Sequence, residues 1–131
     1  MSISLYCYRA NVVSVYDGDT CTVDIDLGLK TWLHGEKLRL NRINTPELRG
    51  EEREQGLVAR DFLRELVLDH EVLLQTIRDK KGKYGRYLAE LWIMGNDGKW
   101  QNVNDIMISS GHAKYYQNNA KPVLYDVNEI A

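Results

Sequence analysis

The chain has 131 residues, 44% hydrophobic and 27% charged, and its 17 Lys+Arg against 19 Asp+Glu leave a formal net charge of −2. That composition describes one globular domain able to bury a core, not a disordered chain. No apolar run approaches the roughly 20 residues that span a bilayer, and the N-terminus, MSISLYCYRANVV, lacks the basic start and unbroken apolar stretch of a signal peptide.

Tyr6 to Val15 and Thr20 to Leu27 read as two strands with Asp17-Gly18 as the turn signal between them. A hairpin closing there pairs positions whose numbers sum to about 35. Cys7 then lies near Gly28 and Cys21 near Ser14, so the two cysteines are not neighbours and are not expected to bridge. Two reduced thiols and no leader segment fit a cytoplasmic protein with no membrane partner. Val23, Ile25 and Leu27 alternate with Asp24 and Asp26, the period of a half-buried strand. Glu36 to Ile43 is expected to form a third strand, preceded by a loop holding Trp32 and Leu33 and ended by Asn44-Thr45-Pro46.

From about Glu52 to Leu68 the period becomes helical, with Ala59, Phe62, Leu63, Leu66 and Val67 in one apolar stripe. Glu71 to Ile77 and Tyr87 to Met94 read as two further strands joined by a basic loop, and Gly95-Asn96-Asp97-Gly98 is turn chemistry. A second helix is predicted from Val103 to Ser110, with Asn102 as N-cap, Asp105 three residues on and Gly111 at the C′ position. Three strands, a helix, two strands and a helix fit a mainly β fold, a five-stranded Greek-key barrel of the OB type with two packed helices. An open α+β sheet is the competing architecture. With only two prolines and no repeat or linker, residues 1–131 read as a single domain.

The total charge speaks against a nucleic-acid partner, because such proteins usually carry a basic footprint. Its distribution does not. Residues 30–86 hold 13 basic and 10 acidic side chains, whereas the two ends hold 4 and 9. The densest basic stretch is Arg78-Asp79-Lys80-Lys81-Gly82-Lys83-Tyr84-Gly85-Arg86, which on charge alone reads as a solvated loop. Asp17-Gly18-Asp19-Thr20 alone reads as hairpin punctuation. Some twenty-five residues later comes Arg39-Leu40-Asn41-Arg42-Ile43-Asn44-Thr45-Pro46-Glu47, where a strand opens into a loop. Carboxylate, amide and carbonyl oxygens at such a place suit a hard cation such as Ca²⁺, and Arg39 offers a planar fork matched to phosphate.

Together, Val15-Tyr16-Asp17-Gly18-Asp19-Thr20, Arg39 with Thr45-Pro46-Glu47, Lys83-Tyr84-Gly85-Arg86, and Asn102-Val103-Asn104 with Gly111-His112-Ala113 resemble the staphylococcal nuclease family in order and spacing over about residues 12–116. The resemblance implies an OB-fold barrel and Ca²⁺-dependent cleavage of phosphodiester bonds in DNA or RNA, single-stranded or frayed. It implies Asp19 as a metal ligand, Thr45 as a ligand through its carbonyl, and Asn44 at the place of a second carboxylate ligand. Glu47 would hold and deprotonate the attacking water, and Arg39 and Arg86 would grip the phosphate and its developing charge. Lys83 and Tyr84 resemble the family's nucleotide-contacting pair, and Tyr115 and Tyr116 lie near another such aromatic.

Two departures stand out. Asn44 keeps an oxygen but loses a unit charge, so weaker Ca²⁺ binding is expected. Only fifteen residues follow Tyr116 and they include Pro122, so the family's third helix is expected to be short or absent. His34, His70 and His112 lack ligand spacing and read as structural. An enzyme is the leading reading; the alternative is an SNase-like module that binds nucleic acid or protein without cutting.

Overall fold

The structure is a computed structural model that describes residues 5–115, the side chains of residues 78–80 excepted. Eight strands and two helices follow in the order β1 (Cys7–Asp17), β2 (Thr20–Gly28), β3 (Thr31–Leu40), β4 (Ile43–Asn44), α1 (Arg53–Val67), β5 (Glu71–Lys81), β6 (Tyr87–Met94), β7 (Trp100–Asn102), α2 (Val103–Ser109) and β8 (Lys114–Tyr115). A single 3-10 turn, Gly50–Glu52, precedes α1.

Hydrogen bonding runs β3-β2-β1-β5-β6-β7, and a further pairing of β3 with β6 closes the first five strands into a barrel. That closure is parallel and short, Leu38 to Tyr87, Arg39 to Leu88 and Leu40 to Ala89. The other barrel pairings are antiparallel. The architecture is the expected five-stranded OB-type barrel with two helices; the closure by β3 and β6 excludes the open sheet.

Alternation fills the barrel. Cys21, Val23 and Ile25 of β2, Leu38 and Leu40 of β3, Val72 and Leu74 of β5, and Ala89 and Leu91 of β6 are buried. Helix α1 seats Ala59, Leu63 and Val67 in that core, with Phe62 and Leu66 packed on its margin, the stripe predicted from three- and four-residue spacing.

In the β1–β2 hairpin the numbers sum to 35 from Arg9–Asp26 to Val12–Val23, then a bulge between Val12 and Ser14 shifts the register. Cys21 therefore faces Val15, and Cys7 pairs with Gln75 of β5. Neither cysteine forms a disulfide, and burial pushes the Cys21 thiol up to about 12.

The third strand departs most from expectation. It begins at Thr31, so Trp32 and Leu33 belong to β3 and not to a loop. The residues from Thr31 to Gly35 are all exposed, so this half of the strand carries no alternating core signal. It ends at Leu40, because Arg42 turns the chain with φ +71 before Ile43-Asn44 restarts as β4, paired with β8. Strand β5 also runs on to Lys81, past the expected Ile77 and into the basic stretch, with an irregularity between Thr76 and Lys81.

Asn102 caps α2 as predicted, its Oδ1 accepting from the Asp105 N–H at 2.8 Å. At the other end Gly111 (φ +84) lets the His112 N–H reach the Met107 carbonyl and its own N–H reach Ile108, a Schellman closure. The expected short or absent third helix, and Tyr116, lie outside the described residues.

A buried polar network joins these parts. The Arg42 guanidinium, 6% exposed as a residue, donates to Glu90 through Nε at 3.0 Å and Nη2 at 2.7 Å, and pairs through Nη1 with Asp105 at 2.8 Å. Asn41 and Asn102 also donate to the Glu90 carboxylate. Hydrogen bonding by Glu90 holds the Arg42 pKa above its ordinary value despite burial. Asn104, fully buried, accepts from the Leu91 N–H and donates to the carbonyls of Asn41 and Ala89. Replacing one partner strands a buried charge, which costs about 3–5 kcal/mol. Glu90→Ala is expected to lose that much in urea unfolding, whereas Glu71→Ala, which breaks the exposed pair with Arg9, should change stability by less than about 1 kcal/mol.

Candidate functional site

The turn from β1 to β2 is pinned from below. Gly18 is buried, and a methyl group there would come within 2.8 Å of Thr45 Cγ2 and 2.9 Å of the Ala59 Cβ. Only glycine lets the turn lie this close to the loop after β4 and to α1. The approach presents the carboxylate of Asp19, itself 6% exposed. Asp19 Oδ2 accepts from the backbone N–H and hydroxyl of Thr45, both at 3.1 Å, and faces Arg39 Nη1 at 3.3 Å. Its Oδ1 accepts from the Thr20 hydroxyl at 3.2 Å.

Arg39 is anchored at the end of β3. Nη1 donates to the Leu40 and Ile43 carbonyls and Nη2 to Asn44 Oδ1, each at 3.0 Å. The turn at Arg42 brings those acceptors back beside the strand. Glu47 follows on a segment laid against α1, where a side chain at Gly56 would collide with the Glu47 carbonyl. The Glu47 N–H donates to the Glu52 carboxylate and Arg53 Nη1 donates to the Leu48 carbonyl, so the start of the helical region clamps the loop. The Glu47 side chain is exposed.

Arg86 enters from just before β6, its Nη1 donating to the Thr20 hydroxyl at 3.3 Å. Its guanidinium lies 5.2 Å from the centre of the Tyr84 ring, and Lys83 Nζ lies 5.4 Å from the same ring. Tyr84 is 70% exposed.

One cleft of about 1090 Å³ gathers Asp19, Arg39, Asn44, Thr45, Glu47, Tyr84 and Arg86. Lys83 touches the Tyr84 ring but does not line the cleft. Tyr115 lines a second groove of about 870 Å³, on which Asn44 to Glu47 also border. There its ring covers Arg42, 5.8 Å away, and its hydroxyl donates to Asp105 at 3.3 Å. Sequence reading assigns no role to Tyr16 or Asp17, and it does not single out the lining cations Lys37, Arg49, Arg60 and Arg64. Asp17 could have been found as the second acid of the turn, but the α1 arginines carry only the ordinary signature of a helix's solvent face.

Asp17 and Asp19 bear on whether a cation fits. Burial, then the neighbouring Asp19 charge, pushes the Asp17 carboxyl up from 3.8 to about 6. Two crowded carboxylates with carbonyl and amide oxygens nearby form an all-oxygen set suited to a hard cation. Among the described residues, no three His, Cys, Asp or Glu side chains cluster as a metal site. A cation here would thus draw part of its coordination from backbone, amide or water oxygens. The Asn44 amide oxygen is already engaged by Arg39.

A family model described as staphylococcal nuclease homologue matches residues 37–130. The chain belongs to the staphylococcal nuclease family. The matched span includes Arg39, the Asn44–Glu47 loop and Arg86. Thermonucleases of Staphylococcus hyicus and Staphylococcus intermedius are 32% and 31% identical over 115 and 113 residues, each match covering 84% of this chain and 62% of the relative. An uncharacterised protein of Methanocaldococcus jannaschii is 29% identical over 133 residues, covering 86% of this chain and 61% of that protein. The chain thus spans about three-fifths of the length of the curated relatives it matches. The match supports a nuclease-type fold. Among the described residues no helix is long and apolar enough to cross a membrane.

The raised Asp17 pKa has a consequence for stability. The fold favours the protonated acid, so this group's contribution is fully present below about 3.8 and is lost as pH rises through about 6. Asp17→Asn keeps an oxygen to accept from the Asp19 N–H, as Asp17 Oδ1 does at 3.1 Å, and removes the titration. In chelator, the variant is expected to melt above the wild type at pH 7, with the gap closing toward pH 4.

Proposed function

We propose that this chain is a Ca²⁺-dependent phosphodiesterase that hydrolyses DNA or RNA, single-stranded or frayed, by in-line attack of water. The observation that carries the reading is the convergence on one cleft of Asp19, Glu47, Arg39 and Arg86, drawn from three separate stretches of chain.

Each residue has a role its setting supports. Asp19 would hold Ca²⁺ through its carboxylate and Thr45 through its carbonyl. Asn44 would join them by giving up its bond to Arg39. When bound, the cation would supply Lewis-acid charge to the phosphoryl group. Glu47, exposed in the cleft, takes a proton from the attacking water as the new O–P bond forms. The opposite P–O bond breaks, and its oxygen leaves with a proton from solvent. Arg39, held by backbone carbonyls on one nitrogen, and Arg86, held by Thr20, supply donors for charge growing on the phosphoryl oxygens. Tyr84 offers a face to a base, and Lys83 adds charge beside it. Tyr115 would meet a nucleotide only beyond the Asn44–Glu47 segment, in the second groove.

One observation favours a second reading, a module that binds nucleic acid or protein without cutting. Asn44 contributes no charge to the metal set and its oxygen faces a guanidinium.

A cleavage assay on denatured DNA separates the two. Cutting is expected with millimolar Ca²⁺ and not with chelator. Glu47→Ala and Arg86→Ala are each expected to slow it by about 100-fold or more. Intact binding with no cutting would select the second reading. Gly56→Ala, which pushes on the Glu47 carbonyl, is expected to lower the rate while the barrel still melts cooperatively. Asn44→Asp should lower the Ca²⁺ concentration needed for half-maximal activity; an unchanged requirement would remove Asn44 from the metal set.

A further inference from the structure

The cleft extends past the groups used above, along the face where α1 meets β1. Tyr16, Arg60 and Arg64 line that end. Tyr16 points out of the barrel between buried Val15 and the Asp17 turn and is 69% exposed. A large, open aromatic face beside charged groups is a poor contributor to folding and a good platform for a base. Arg64 is drawn against the same strand, its Nη2 donating to the Val15 carbonyl at 3.1 Å. That bond holds its guanidinium next to the residue that carries the aromatic ring.

Arg60 sits one turn earlier on α1. Its Nη2 pairs with Asp61 at 3.0 Å, and Arg64 Nη1 lies 3.8 Å from the same carboxylate. One exposed acid between two guanidinium groups leaves a positive excess. Exposed ion pairs of this kind add little to stability, so exchanging Asp61 for a phosphate costs the fold little.

We propose that Tyr16, Arg60 and Arg64 form a nucleotide subsite for single-stranded nucleic acid, with the ring stacking on a base and the arginines holding the adjoining phosphate. This rests on the reading of the cleft as the place where a strand lies. The reacting phosphate meets Arg39 and Arg86, and the same strand continues toward α1. The chemistry is tolerant of sequence, because every base has a face and every phosphate the same charge. It requires an unstacked base, which makes a single strand the preferred form.

The test measures binding of a fluorescent thymidine 12-mer by anisotropy in chelator, across salt concentrations, alongside cleavage of the same oligonucleotide in Ca²⁺. Arg60→Gln is expected to weaken binding and to flatten the slope of log K against log salt by about 0.7 for each phosphate that the protein no longer neutralises. Tyr16→Ala is expected to weaken binding about 5-fold to 100-fold with the slope unchanged. Tyr16 is exposed, and half-buried Arg60 pairs with exposed Asp61 on its own helix, so these variants leave the barrel's ties in place, whereas Arg64→Gln also removes the tie to β1. Arg9→Gln removes an equal charge from β1 outside the cleft and should change neither quantity. Equal losses with Arg9→Gln, or wild-type binding in both Arg60→Gln and Tyr16→Ala, would overturn the subsite. If those variants bind as wild type does while the wild type still cuts, the subsite fails and the phosphodiesterase reading stands. If the variants lose binding and no protein cuts, the subsite stands and that reading fails. A wild type that neither binds nor cuts overturns both.

Discussion

Arg42 stands where the chain reverses between β3 and β4, its guanidinium out of water and locked onto Glu90 of β6. Three other structures depend on that pair. It holds the left-handed backbone at Arg42, which carries the chain back so that Arg39 can bond the Ile43 carbonyl and the Asn44 side chain. It ties the turn to α2 through Asp105 and through Asn102, which caps the same helix. And it fastens the β3 end of the barrel to β6, next to the parallel pairing that closes it. A buried pair of this sort need not add net stability over well-packed apolar groups. What it contributes here is position, because few other arrangements satisfy so many donors at once.

Two glycines perform the complementary task on the outside of the barrel. Gly18 and Gly56 remove the side chains that would hold the β1–β2 turn and the Glu47 loop away from α1. The cleft is therefore shaped by close approach as much as by charge. Six Arg or Lys side chains and three Asp or Glu side chains line it, in a chain whose total is −2. The total averaged over surfaces that have no part in the cleft.

Much of this was legible in the sequence, for reasons that differ by element. The inward alternation of β2 and the stripe of α1 are packing signals, and packing decided those elements. Asn102 and Gly111 announced both ends of α2 because caps obey local chemistry. The start of β3 was not legible, since Trp32 and Leu33 lie where the hairpin extends past the core and neither face is buried. The pairing of β4 with β8, two residues on each side, leaves no periodic trace. The Arg42–Glu90 pair is a contact between distant stretches, invisible to any local pattern. Within the cleft, Asp19, Arg39, Thr45, Glu47 and Arg86 were singled out by motif. Arg60 and Arg64 were not, because a helix's outward arginines look alike until a fold puts a neighbour beside them.

The short parallel pairing of β3 with β6 also bears on how the protein comes into being. Every antiparallel pair in the barrel's first hairpins can form from nearby chain, but residues 38–40 meet residues 87–89 only after α1, β5 and the basic stretch have taken their places. Contacts between such distant segments carry the loop-closure cost of folding and tend to form late. Arg39 is paired with Leu88, two residues beyond Arg86, so this closure brings the two arginines abreast, with Thr20 of β2 paired to the one and accepting from the other. A nascent or partly folded chain can thus own every residue of the cleft and still present no site that could grip a phosphate from both sides.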